Sequence, residues 1–280
     1  MREWKQQVAV ITGGGSGIGE ALAHACADRG MRVALADVES EAAHRVAEAI
    51  RSRGGEALAW AVDVGNREAV TDFAAGVRES FGACHLLCNN AGVLVTRPLL
   101  EIEAKDWEWC LSVNLWGAIH SVSAFVPGML ESGAPGHVVN TASIVGLVPI
   151  AQGNLGAYTT TKFALVGFSE SLRAELQALG APIGVSVVCP GAVTTRIAES
   201  ERNRPSQLKT GPAQVPPEAD PHASPTPGKQ SSEAVAAAIL AGVENDETWI
   251  LTHPEMKPLV AGRATALLEA FDRAALRRPD

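Results

Sequence analysis

Gln7-Val-Ala-Val-Ile-Thr-Gly-Gly-Gly-Ser-Gly-Ile-Gly19 is the stretch on which the fold of this chain turns. Gln7 to Thr12 is a short apolar run, the pattern of a buried strand, and Glu20 to Arg29 continues beyond the last glycine as a helical run. A strand feeding a helix through a glycine-rich turn is a phosphate-binding arrangement. The backbone must turn tightly and approach the phosphates closely, while the helix N-terminus offers unpaired N–H groups and the positive end of its dipole. The spacing is Gly-x-x-x-Gly-x-Gly, distinct from the Gly-x-Gly-x-x-Gly dinucleotide fingerprint.

A second apolar run, Arg32 to Ala36, ends in Asp37, eighteen residues beyond Gly19. That is close to the distance at which a carboxylate accepts hydrogen bonds from an adenosine ribose. Its charge would repel a 2′-phosphate, and neither Ser16 nor Val38 is positively charged to offset it, so NAD is expected over NADP. A cap for the following helix is the other reading of Asp37. The alternation continues down the chain. Strands are expected near 7–12, 31–37, 56–62, 85–88, 136–141, 184–189 and 248–251, with helices near 17–29, 40–53, 66–80, 104–131, 156–179 and 231–243. This implies an α/β chain of the Rossmann type, a doubly wound, mostly parallel seven-stranded sheet with helices on both faces. Ligands of such sheets bind beyond the carboxyl ends of the strands, where strand order reverses. Gly13, Asp37, Asp63, Asn89 and Ser143 all fall at or just past expected strand ends.

The chain has one tyrosine, Tyr158, and Lys162 follows four residues later in a run rich in Ala, Leu and Val. On a helix that spacing places both side chains on one face. A phenol ionises near about pH 10, so it serves as an acid/base at neutrality only where a fixed cation or donor stabilises the phenolate. Lys162 is such a cation. Taken alone, the pair also reads as a packed tyrosine beside a solvated lysine.

Thr12-Gly-x-x-x-Gly-Ile-Gly19, Asn89-Asn-Ala-Gly92, Asn114, Ser143, Tyr158-x-x-x-Lys162 and Pro190-Gly191 stand in the order and at the spacings of the short-chain dehydrogenase/reductase family. The chain resembles that family from about Val8 to Thr195 and more loosely to about Leu251. The resemblance implies an NAD(H)-dependent oxidoreductase interconverting a secondary alcohol and a ketone. Tyr158 would be the acid/base, and Lys162 would lower its pKa and hold the nicotinamide ribose. Ser143, after the strand His137 to Thr141, would orient and polarise the substrate oxygen. Asn114 is unfavourable inside a helix; it matches the family's asparagine that supports a helix kink and a water-linked proton relay, with a buried structural amide as the alternative.

By the same resemblance Gly13, Ser16, Gly17, Ile18 and Gly19 would form the pyrophosphate turn, and Asp37 would read the ribose. Asp63 and Val64 would meet the adenine, and Asn90 and Gly92 would continue the cleft floor. Pro190, Gly191 and Thr194 would hold the carboxamide end of the nicotinamide, while Asn89 reads as a tie between strands. Two other functions share this scaffold. A non-catalytic NAD-binding sensor would be expected to have lost the tyrosine, serine or lysine, and a nucleotide-sugar epimerase or dehydratase usually carries a larger C-terminal substrate domain.

Hydrophobic residues at 46% and charged residues at 19% suit one domain over residues 1–280. The net charge of −8 argues against nucleic acid or an anionic membrane as partner. The first strand begins almost at once without a charged, apolar leader, and no run is read as long enough to span a bilayer, so a cytoplasmic location is expected. The five cysteines, Cys26, Cys84, Cys88, Cys110 and Cys189, read as reduced core thiols. Cys84 and Cys88 face one side of a strand and His85 the other, so no metal site is expected.

Thr194 to Ser232 is rich in proline and without periodicity, as in Gly211-Pro-Ala-Gln-Val-Pro-Pro217, and reads as a substrate lid or a flexible loop. Thr195 to Leu208, with Ile197 and Leu208, is the portion expected to touch substrate. Val93 to Val95 and Ile144 to Ile150 are apolar, with Gln152 and Asn154 nearby, which points to an uncharged, moderately hydrophobic small molecule. Arg196, Arg202, Arg204 and Lys209 in the lid leave a carboxylate substrate open. The tail from Thr252-His-Pro-Glu255 to residue 280 covers the cleft, joins subunits or closes the core. Apolar residues all round the helices near 104–131 and 156–179, among them Trp107, Trp109, Trp116, Phe163 and Phe168, suggest a homodimer or homotetramer.

Overall fold

The structure is a computed structural model that describes residues 4–150, 154–211 and 228–277. All seven expected strands form: β1 (Val8–Thr12), β2 (Arg32–Asp37), β3 (Ala57–Ala61), β4 (Leu86–Asn89), β5 (Gly136–Thr141), β6 (Ile183–Val188) and β7 (Trp249–Ile250). They make one sheet in the order β3-β2-β1-β4-β5-β6-β7, and every pairing is parallel. The order reverses between β1 and β4, so the segments that leave these two strands diverge and open a crevice at their carboxyl ends.

The two-residue period of the strands assigns each apolar side chain to one of two cores. Ala9 and Ile11 of β1 and Val33 and Leu35 of β2 meet α1 (Gly17–Asp28), α2 (Ser40–Arg51) and α7 (Ser232–Glu244) through Leu22, Val46 and Val235. Val8, Val10, Ala34 and Ala36 point the other way, onto α3 (Arg67–Phe81) and α5 (Gly117–Ser132) through Phe73, Val77, Phe125 and Met129. Strands buried on both faces need the unbroken apolar runs that this sequence supplies. This is the Rossmann-like architecture expected from the alternation.

The helix expected over 104–131 is interrupted. It runs as α4 (Ala104–Leu111), a π-helical turn at Ser112–Trp116, and α5, with Asn114 inside the wide turn. A single π turn adds a residue and redirects the helix beyond it, here because Asn114 is bound to the loop after β4. This continuous segment, Ala104–Ser132, also corrects the expectation that no run reaches bilayer-spanning length, since its 29 residues include a window of mean hydropathy 1.2. Its apolar character is used in packing: Phe125 and Met129 enter the core and Trp109 is only 2% exposed. Trp109 is therefore not the surface aromatic that subunit association was expected to use; Trp116, 51% exposed, is.

α6 (Gly156–Ala178) carries Tyr158 and Lys162, and α8 (Lys257–Ala275) extends the tail with no buried residue. Gln152 and the Pro-rich core of the lid, 212–227, lie outside the described residues. All five cysteines are buried free thiols, and among the described residues no group of three or more His, Cys, Asp or Glu is placed to hold a metal.

Candidate active site

The crevice is locked at its base by Thr12 and Asn90. The Thr12 hydroxyl accepts the N–H groups of Asn90 (3.1 Å) and Ala91 (3.2 Å), and the Asn90 amide donates back to the Thr12 and Gly13 carbonyls (3.3 Å each). Gly13 has a positive φ of 64°, and a Cβ there would sit 2.8 Å from the Ala91 Cα. A Cβ on Gly19 would overlap the Gly13 carbonyl oxygen, so Gly19 lets α1 start directly beneath the turn rather than lining the cleft itself. Ser16 caps α1 with no side-chain cap bond, which leaves its hydroxyl and the helix N-terminus open to the cleft that Gly13, Ser16, Gly17 and Ile18 line.

At the end of β2, Asp37 accepts the N–H of Gly15 and of Glu39, both at 2.9 Å. Burial raises its pKa against the pull of these two bonds. Asp63, Val64, Asn90 and Gly92 complete this end of the cleft. The segment from Arg196 to Asn203 reaches here as well. Arg202 Nε and Asn203 Nδ2 each donate to Glu39 Oε1 at 2.9 Å, and Arg196 lies 3.6 Å from Glu39 Oε2. Partial burial works against the ionised form of Glu39, but the Asn203 and Arg202 bonds and the two cationic charges outweigh it and hold its pKa below the usual value.

At the other end Ser143, Tyr158 and Lys162 meet at the carboxyl end of β5. Burial pushes the Tyr158 phenol well above its ordinary pKa, opposed by a hydrogen bond from the Ser143 hydroxyl. The same hydroxyl lies 3.3 Å from the Pro190 carbonyl, the other acceptor for its single proton. Lys162 Nζ donates to the Thr141 carbonyl at 2.7 Å and stands 5.4 Å from the Tyr158 ring centroid. Burial lowers Lys162 to about 8. Burial therefore sets the direction for the phenol, and the one effect that opposes it comes from Ser143 and not from Lys162.

Asn114 does not line the cleft. It is buried behind it, bonded to Val93, Thr161 and Cys110, and its Oδ1 and Lys162 Nζ flank the α-carbon of Gly92, 3.4 and 3.7 Å from where a side chain would begin. Asn89 ties β4 to β5 through Asn140 (2.8 Å), as expected. Pro190 and Gly191 line the cleft; of the neighbouring threonines, Thr195 does so, whereas Thr194 is exposed and bonded through its backbone to Gln230 and Ser232. The two backbone bonds hold Thr194 against the segment before α7 and leave Thr195 at the cleft.

The cleft encloses about 950 Å³. Beyond Tyr158 its wall is apolar: Val93, Leu94, Trp109, Ile144, Ile150 and Leu155, joined by Ile197 and Leu208 from the segment after β6 and Met256 from the tail. The segment from Arg196 to Leu208 is held there by buried charge. Asp106, at the start of α4, takes Arg204 Nη2 at 2.6 Å and Arg97 Nε at 3.2 Å, while Arg204 stacks 4.9 Å over Trp109 and Ser200 accepts the Leu94 N–H. Glu39, Asp106, Arg97 and Met256 were not among the residues singled out from the sequence. Only Asp106 had a local signal, the Glu103-x-x-Asp106 capping box.

Fold and site define a class of protein: a doubly wound α/β chain with a nucleotide cleft at the switch point of its sheet and a Tyr-x-x-x-Lys pair in that cleft. Residues 7–206 match the short chain dehydrogenase family, and the chain belongs to it, an oxidoreductase family. It is 31% identical over 288 residues to the CLA biosynthesis dehydrogenase/reductase of Lactiplantibacillus plantarum, covering 96% of this chain and 95% of that one. It superposes with a TM-score of 0.87 at 36% identity on a short chain dehydrogenase/reductase of Burkholderia phymatum in complex with NAD, over 100% of this chain and 98% of that one. A metagenomic short-chain oxidoreductase in complex with NADP is similar at a TM-score of 0.69 and 29% identity, over 89% of this chain and 96% of that one.

Proposed function

We propose that this chain is an NAD(H)-dependent oxidoreductase that interconverts a secondary alcohol and a ketone on a small hydrophobic substrate, with Tyr158 as acid/base. The observation that carries the reading is the convergence of the Tyr158 phenol, the Ser143 hydroxyl and the Lys162 ammonium group on one cleft with an apolar wall on its outer side. The chain's residues fit a nicotinamide dinucleotide: an open helix N-terminus and turn at Gly13 to Gly19 for the pyrophosphate, and Asp37 for the ribose. The cofactor, when bound, supplies the hydride acceptor or donor. Asp37 and Glu39 support NAD over NADP, although Arg202 and Arg196 bring positive charge to this end that the neighbouring sequence does not show.

In ketone reduction the neutral phenol of Tyr158 is the proton donor to the developing alkoxide, and burial keeps it protonated. In alcohol oxidation the phenolate removes the hydroxyl proton, with the Ser143 donor and the Lys162 charge to stabilise it. Ser143 holds the substrate oxygen against Tyr158. Three of the four lid cations have carboxylate partners, Arg204 with Asp106 and Arg196 and Arg202 with Glu39, which supports an uncharged substrate over a carboxylate. A homodimer or homotetramer fits the exposed Trp116 and the exposed apolar residues of α8, and a cytoplasmic location is the accompanying proposal.

The test is NADH formation from a panel of secondary alcohols, with NAD and with NADP, beside Tyr158→Phe. Turnover with NAD on uncharged hydrophobic alcohols, lost in Tyr158→Phe while NADH still binds, is the expected result. Turnover that survives the substitution removes Tyr158 from the mechanism.

A further inference from the structure

The tail segment that opens with Thr252-His253 passes behind the cleft wall, and there His253 is 4% exposed. Its Nδ1 accepts the Gly191 N–H at 3.0 Å and lies 2.8 Å from the Thr252 hydroxyl, and its Nε2 meets the Ala192 carbonyl at 3.1 Å. A carbonyl can only accept and an N–H can only donate, so this geometry uses the tautomer with the proton on Nε2. The ring packs so closely on the loop that a Cβ on Gly191 would lie 2.7 Å from it. The same loop is bound on its other side to the catalytic end of the cleft. The Pro190 carbonyl accepts the Ile144 N–H at 2.8 Å and the Ser143 hydroxyl at 3.3 Å. The Ala192 carbonyl also accepts the Gln230 N–H at 3.0 Å.

We infer that His253 is a positioning residue for the nicotinamide end of the cofactor, holding the Pro190–Ala192 loop from behind through the Gly191 N–H and the Ala192 carbonyl. This rests on the dinucleotide reading above. His253 does not line the cleft, so its effect passes through the loop that does. Without the ring the Gly191 N–H loses its partner and the Ala192 carbonyl keeps only the Gln230 N–H, so the Gly191 peptide is free to turn from its present direction. The consequence is local: Pro190 and Gly191 line the cleft beside Ser143, while Asp37 and Asp63 stand at the other end.

Calorimetric titration of the full chain with NADH and with ADP-ribose, which lacks the nicotinamide, separates this role from a general one. In His253→Phe, which keeps a ring but neither bond, the Kd for NADH is expected to rise on the order of tenfold while that for ADP-ribose stays within about twofold. His253→Asn, whose side-chain oxygen can stand near the Nδ1 position and accept the Gly191 N–H, is expected to recover most of the NADH affinity. Unchanged NADH binding in His253→Phe overturns the inference, as does an equal loss for both ligands, which is the mark of a merely structural residue. An Asn variant no better than the Phe variant overturns the hydrogen bond as the device. A wild-type chain that binds neither ligand overturns the dinucleotide reading itself.

Discussion

Asn114 grips Val93 with both ends of its amide: Oδ1 accepts the Val93 N–H at 2.8 Å and Nδ2 donates to the Val93 carbonyl at 2.9 Å. The pair joins the π turn to the loop after β4, one residue beyond Gly92 on the cleft floor. Truncation to Asn114→Ala leaves two buried backbone groups unpaired, and a loss of about 2–4 kcal/mol in unfolding free energy is expected. Asn114→Asp should be worse, since a carboxylate cannot donate to the Val93 carbonyl. Urea titration of the three proteins checks the order.

Lys162 is a buried cation with its proton loosely held, lowered by burial to about 8. If its charge supports the transfer at Tyr158, ketone reduction should be level below about pH 8 and fall above it as the ammonium group discharges. Lys162→Met should lose at least about 100-fold in kcat/KM across the whole range. The pH profile of NADH oxidation with a ketone chosen from the substrate panel is the measurement, and a variant profile that still breaks near pH 8 would assign the break to another group.

The local parts of this protein were readable because their physics is local. The strand, glycine turn and helix from Gln7 to Arg29 are set by adjacent residues, and apolar runs such as those of β1 and β2 mark the strands, so the switch point and the residues beyond it could be placed. At Asn114 a helix kink was expected only through the resemblance; its form, the π turn at Ser112–Trp116, depends on a bond to a residue 21 positions earlier and has no local signal. The lid anchors were hidden for the same reason: Arg204 meets Asp106 across 98 residues and Arg202 meets Glu39 across 163. The four-residue spacing of Tyr158 and Lys162 places them on one helical face, but it cannot report how deeply both are desolvated, and that depth controls their protonation.

The Asp106–Arg204 pair is almost fully buried, and Arg97 shares the same carboxylate. Burial opposes ionisation of Asp106, yet the Glu103 N–H, the Arg204 bond and the charges of Arg204 and Arg97 hold its pKa below the ordinary value. Asp106→Ala removes the buried carboxylate that both guanidinium groups share and leaves Arg204 to Glu201 and Arg97 to Glu103, so a loss of about 3 kcal/mol is expected, at the low end for a broken buried pair. Because Arg204 carries the lid, the same variant should be cut faster by protease between residues 196 and 211 and show a raised KM for the alcohol. Exchange of Asp106 with no change in lid cleavage would separate the ion pair from lid docking.

His137 lies on β5 with its Nε2 2.7 Å from the Ser186 hydroxyl and its Nδ1 3.9 Å from Asp246. Burial pushes its pKa down to about 4, against the attraction of Asp246. The folded value lies below the ordinary value of 6.5, so between about pH 6.5 and 4 the unfolded chain binds the extra proton. Its contribution is therefore complete above about pH 6.5 and is lost as the pH falls toward 4, a span worth about 3 kcal/mol. His85, also lowered by burial, adds to the slope in the same direction. Denaturant unfolding at pH 7.5, 6 and 5 should show falling stability. His137→Gln, which cannot take up a proton, should flatten that fall, whereas an unaltered slope would place the acid sensitivity in other groups.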